Sequence, residues 1–133
     1  MEQFNYRVKI EEFTEKHYIK KFHKKNKDKW NATERTIITI CERIDNTLKY
    51  NRADLISENG CYKLVKLDFS VEGTHLSPKS SGNRCILICD EDARLVRILL
   101  VYSKDDISSP NETQKWKSVI KDAYEDLAEI FKL

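Results

Sequence analysis

Apolar and polar positions alternate strictly over "FNYRVKI": Phe4, Tyr6, Val8 and Ile10 fall on one side, and Asn5, Arg7 and Lys9 on the other. A period of two marks a half-buried strand and predicts a first strand over residues 4–11. Thr14 then offers an N-cap, and Tyr18, Ile19 and Phe22 make a narrow apolar stripe on a lysine-rich helix that reaches about residue 25. Beyond the polar "KNKDKW", Asn31 and Glu34 stand at capping-box spacing, and Ile37, Ile40, Cys41, Ile44 and Leu48 recur at helical intervals. This predicts a second helix to about residue 49, followed by a loop, "NRADLISENG", that closes on Asn59-Gly60.

"CYKLVKLDFS" alternates again, with Lys63, Val65, Leu67 and Phe69 on one face and Tyr62, Leu64, Lys66 and Asp68 on the other. The first set is the better core face, which places Lys66 on the mixed face; a slip of one residue would exchange Lys63 and Lys66. "VEGTHLSPKSSG" reads as a connecting loop, and "NRCILIC" and "RLVRILLVY" as apolar strands joined through Asp90-Glu91-Asp92. Ser109, Pro110 and Glu112 have the spacing of an N-cap, an N1 proline and an N3 carboxylate. The helix they start is striped by Trp116, Ile120, Ala123, Leu127 and Ile130. The order β-α-α-β-β-β-α, without repeats or a linker, defines a single α+β domain over residues 1–133. Its small, antiparallel-rich sheet is expected to carry helices on one face and to leave the other open for function.

Hydrophobic residues at 40% and charged residues at 35% describe a globular chain whose size suits one core. No run approaches the roughly 18 apolar residues of a membrane span, and "MEQFNYRVKIEEF" lacks the basic and then apolar run of a signal peptide, so a cytoplasmic location is expected. Cys41, Cys61, Cys85 and Cys89 contain no C-x-x-C pair and read as buried free thiols. Net charge is only +2, yet residues 16–29 hold seven lysines against one aspartate, and residues 105–133 hold seven acids against four lysines. A basic early face is therefore available for phosphates, although a solvated helix face would read the same way.

No P-loop, dinucleotide fingerprint, zinc-ligand pattern or nucleophile elbow is present. The remaining chemistry is a cluster of cations and a phenol: Lys66, Lys79 in the loop, Arg84 where the next strand begins, and Tyr102 and Lys104 where the last strand ends. Antiparallel neighbours bring such a beginning and end together. An arginine fork can hold two phosphate oxygens as charge builds in a transition state, and a lysine or tyrosine of lowered pKa can move a proton. Strand ends also carry unremarkable surface charge, so scattered cations are the plainer alternative. His75, the one histidine near the cluster, has suitable chemistry but loop placement.

"KLDFSVEG", then "KSSGNRCILI", a short acidic turn, "RILLVYSKDD" and "SPNET" at the last helix together resemble the RelE/HigB-type toxins of bacterial toxin-antitoxin pairs. The motif likeness covers about residues 61–113, and the order of elements agrees over roughly residues 4–128. The resemblance implies a RelE-like fold and a metal-independent, cofactor-free endoribonuclease that cuts messenger RNA at the ribosome, inhibits translation and is covered by a cognate antitoxin. It assigns phosphate binding to Arg84, a cation or general base to Lys66, and the far wall of the pocket to Tyr102 and Lys104. Lys20, Lys21, Lys24, Lys25 and Lys79 would contact RNA phosphates without sequence preference. Asp68 and Asp105 depart from the pattern, since many members carry basic or amide side chains there. Two alternatives stand beside this reading: a catalytically weak RelE-like module that binds a partner protein, and a nonspecific RNA-binding protein.

Overall fold

The computed structural model describes residues 5–133, so Phe4 of the first expected strand lies outside the described residues. Strand β1, Arg7–Ile10, turns Val8 and Ile10 inward and Arg7 and Lys9 outward, as its alternation requires. The chain then becomes helical: α1 spans Glu12–Thr14, a π-helical turn spans Glu15–Ile19, and α2 spans Lys20–Asn26. Helix α3 is Asp28–Glu42 and α4 is Ile44–Lys49. Strand β2, Asp54–Asn59, forms a hairpin with β3, Tyr62–Phe69. A short helix α5, Pro78–Ser81, precedes β4, Asn83–Asp90, and β5, Leu95–Tyr102. Helices α6, Glu112–Ala123, and α7, Glu125–Phe131, close the chain.

The class is α+β, with a five-stranded mixed sheet in the order β1-β5-β4-β3-β2. The meander β3-β4-β5 is antiparallel as expected, whereas β1 lies parallel to β5, with Val8 opposite Val96 and Ile10 opposite Ile98. Segment 54–59 is an edge strand and not a loop. Its single neighbour leaves Asp54, Glu58 and Asn59 in solvent, and a bulge between Leu55 and Ser57 breaks its alternation.

Helices cover both sheet faces, which corrects the expectation of one covered face. On one side Val65, Leu67, Cys85, Leu87 and Ile98 pack with Phe22, Trp30, Ile37, Cys41 and Ile44 of α2 to α4. On the other, Leu64, Ile86, Ile88 and Leu100 pack with Trp116, Ile120, Leu127 and Phe131 of α6 and α7. The strands β4 and β5 are apolar on both sides, so neither face can be left to water without a large hydrophobic cost.

Three expected caps also move. Helix begins after Glu11, so Thr14 is internal and fully buried; its Oγ1 accepts the Val101 N–H at 2.9 Å, just past the point where β1 stops pairing with β5. Helix α3 starts at Asp28, which puts Asn31 within it. Helix α6 starts at Glu112 after Asn111 in the left-handed region and without a side-chain cap, and the Glu112 carboxylate meets Tyr102 and Arg84 instead of closing a capping box. Among the described residues, no helix is long and apolar enough to cross a membrane.

Candidate functional site

Arg84 is the second residue of β4, and the strand register sets it between Asp68 of β3 and Tyr102 of β5. These three side chains lie on the α6 side of the sheet, at the end that α6 and α7 do not fully cover. Arg84 Nε stands 3.1 Å from Asp68 Oδ1 and 3.7 Å from Glu112 Oε2. Its Nη1 donates to Pro78 O at 3.2 Å and Asn83 O at 2.9 Å, and its Nη2 donates to Lys79 O at 3.1 Å. The guanidinium therefore latches the α5 segment onto the sheet while two carboxylates balance its charge.

The local chain is built for that latch. Ser77 caps α5 by accepting the Ser80 N–H at 3.2 Å, Pro78 occupies the first turn, and Gly82 ends the helix at φ 78°. Ser81 is buried, with Oγ 2.6 Å from Phe69 O and accepting the Asn83 N–H at 3.0 Å, which fixes the step from α5 into β4.

Tyr102 is fully buried and donates to Glu112 Oε2 at 2.6 Å. Burial, followed by the hydrogen bond and charge of Glu112, pushes its phenol far above the ordinary range. It supports Glu112 from beneath and does not form a pocket wall, contrary to the role expected of it.

Lys66 is half-buried on the same face, opposite Asp54 in β2 and Ile86 in β4. With Asn51, Arg52, Asp54, Asp68 and Lys79 it lines a cavity of about 210 Å³. The preferred register holds: Lys63 lies on the other face and pairs with Glu91 at 2.8 Å. Burial raises the Asp68 carboxyl above its usual range; Arg84 and then Lys66 oppose the rise, and Asp54 and Glu112 add to it. The cavity thus joins three cations to two carboxylates, one of them Asp68, a group that holds its proton more firmly than a free aspartate.

Lys104 does not join this group. It follows β5 on the α2 side, where it shares a separate cleft of about 340 Å³ with Lys21 and Lys25. Lys21 pairs with Asp106 at 3.0 Å and Lys25 with Asp105 at 3.4 Å. Lys20 and Lys24 face away, toward a groove between α2 and α3 lined by His23, Trp30 and Glu34. The four lysines of α2 are therefore divided between two surfaces. His75 is exposed in the loop before α5 and lines none of these clefts. Among the described residues, no group of three or more His, Cys, Asp or Glu side chains converges as a metal site would require.

The expected site is thus divided: Lys66 and Lys79 line one cavity, Arg84 is joined to it only through its ion pair with Asp68, Tyr102 is fully buried beside Arg84, and Lys104 stands across the sheet end. Asp68 belongs to the same cavity, and Glu112 arrives from α6. Glu112 was hidden by its helix-start context, which accounts fully for a carboxylate at that position. No protein-family model matches the chain, and neither a curated protein nor a solved structure matches it.

Proposed function

We propose that this chain is a RelE-like toxin of a type II toxin-antitoxin pair, acting as a ribosome-associated endoribonuclease that inhibits translation. The observation that carries the reading is the gathering of Lys66, Lys79 and Asp68, the ion-pair partner of Arg84, around one solvent-open cavity at a sheet end. Cleavage there uses RNA's own 2′-hydroxyl. Its oxygen bonds to the adjacent phosphorus as the bond to the 5′-oxygen breaks, leaving a 2′,3′-cyclic phosphate and a free 5′-hydroxyl. Asp68 takes the 2′-hydroxyl proton, the Lys66 ammonium returns one to the departing oxygen, and Lys79 with the rim of Arg84 holds the non-bridging oxygens.

Inducible expression tests this through labelled-methionine incorporation and primer extension on messenger ends. Arrest with new ends is expected, and both should be lost in Lys66→Ala/Lys79→Ala. Intact messenger in arrested cells would sink the nuclease. Arg84→Ala should also abolish arrest, but it removes a latch that is mostly buried and leaves Asp68 and Glu112 without their cation. A stability loss of about 3 kcal/mol in urea melts is expected for it, so the lysine pair is the cleaner variant.

The commitment of Arg84 to main-chain carbonyls, together with the burial of Tyr102, favours a second reading: a catalytically weak RelE-like module that holds a cognate antitoxin or another protein. Recovery of a small partner by affinity capture, with growth unaffected by expression, would select it.

A further inference from the structure

The cleft on the α2 side has a composition that the cavity at Lys66 does not explain. Phe22 and Val71, both members of the adjoining core, line it together with Asn83 and with Lys25 and Lys104 at the rim. Its volume of about 340 Å³ falls in the range of roughly 300–1,000 Å³ typical of small-molecule pockets.

The charged groups around it are not equivalent. Asp106 is 12% exposed, accepts from the Ser103 N–H at 3.2 Å and pairs with Lys21, so both members of that pair serve the turn after β5. Lys25 and Asp105 are 74% and 71% exposed, and their contact is 3.4 Å long. Such a surface pair exchanges readily for a stronger anion. Lys104 forms no ion pair among the described residues. Its stem lies against Gly82, where a Cβ would come within 2.8 Å of Lys104 Cβ. Asn83 projects on the same side of β4 as Cys85, and its side-chain amide makes no hydrogen bond among the described residues. Phe22 and Val71 are each 6% exposed, and the Phe22 ring stacks on Trp30 at 4.8 Å, so the apolar wall presents an edge to the cleft. With an available cation, a replaceable one and an uncommitted amide, it forms a set that matches a phosphate, a base edge and the flank of a base.

We propose that this cleft binds one nucleotide of a single-stranded RNA, with phosphate on Lys104 and Lys25, the base against Phe22 and Val71, and the Asn83 amide on the base edge. The choice of RNA rests on the function proposed above. Helix α5 lies between the two sites, with Lys79 at the cavity and Ser81 at the cleft, so one strand crossing α5 could occupy both.

Amide-resolved NMR titration of the full chain with nucleoside 3′-monophosphates, with the nucleosides and with inorganic phosphate tests the assignment. Shifts at Asn83, Ser103 and Lys104 are expected with the nucleotides and should be weaker with either part alone. Lys104→Ala should weaken binding about tenfold or more, Asn83→Ala should reduce discrimination among bases, and Lys104→Arg should retain affinity. Absence of shifts at these amides overturns the proposal. So does unchanged affinity in a folded Lys104→Ala, or a response to oligo-glutamate without one to nucleotides, which would instead mark an acidic-peptide site. Because this readout needs no translation, retained nucleotide binding alongside absent arrest counts against the toxin reading alone, and the reverse result counts against the cleft alone.

Discussion

Arg84 faces two tasks that compete for the same N–H groups. Three main-chain carbonyls and two carboxylates already surround it, so a phosphate can meet only its outer edge unless Asp68 gives way. Protonation of Asp68 would release that edge but would remove the base that cleavage needs, so the reaction uses ionised Asp68 and only the outer edge of Arg84; burial nonetheless lifts the Asp68 titration above the ordinary 3.8. The native state therefore keeps this proton in a pH window where the unfolded chain has released it. The contribution of this group to stability is greatest below 3.8 and falls as pH rises through the native midpoint. Carboxyl-carbon NMR should place that midpoint above 3.8. Arg84→Gln should move it higher still, as the main opposing charge is lost, and a downward movement would show that the pair is not coupled. The alignment of Lys66, Asp68, Arg84 and Tyr102 was legible in sequence because strand alternation and antiparallel pairing are short-range rules. The burial of Tyr102 was not, because it depends on a helix that arrives ten residues later in the chain.

The elements divide in the same way. The meander and the apolar stripe of the last helix followed from periodicity, but the stripe did not say which sheet face it would meet. Trp116 and Ile120 are fully buried against the face that was expected to be open, so the usable part of that face contracts to the end bearing Lys66 and Asp68. Strand β2 escaped notice because an edge strand in solvent has little alternation to display, and Thr14 misled because a hydroxyl that serves a neighbouring strand looks like a cap. Trp116→Ala should cost about 3–5 kcal/mol in denaturant unfolding, with dye binding to the uncovered sheet face. A loss near zero would mean that α6 is only loosely seated.

At the scale of the whole molecule, two helical layers enclose one sheet, and the thiols report that enclosure. Cys41, Cys85 and Cys89 are fully buried, and burial pushes Cys85 up to about 12 and Cys89 to about 11. Cys61, next to the β2–β3 turn, is the partly exposed one. A disulfide-exchange reagent at neutral pH should label Cys61 ahead of the other three in the native chain, at a rate held down because desolvation and the nearby Asp92 and Asp90 raise its thiol, and all four cysteines only after denaturation; fast native labelling of Cys85 or Cys89 would contradict the sandwich. The parallel seam between β1 and β5 also sets a schedule. Synthesis runs from the N-terminus, so β1 and the helices carrying Phe22, Trp30 and Ile37 emerge long before β5, the strand that gives β1 its place. Closing a contact across most of the chain is entropically costly and kinetically slow. Until then the helical layer can cover only the part of the sheet made by β3 and β4, through Val65, Leu67, Cys85 and Leu87, and the seam that joins the two ends of this protein closes last.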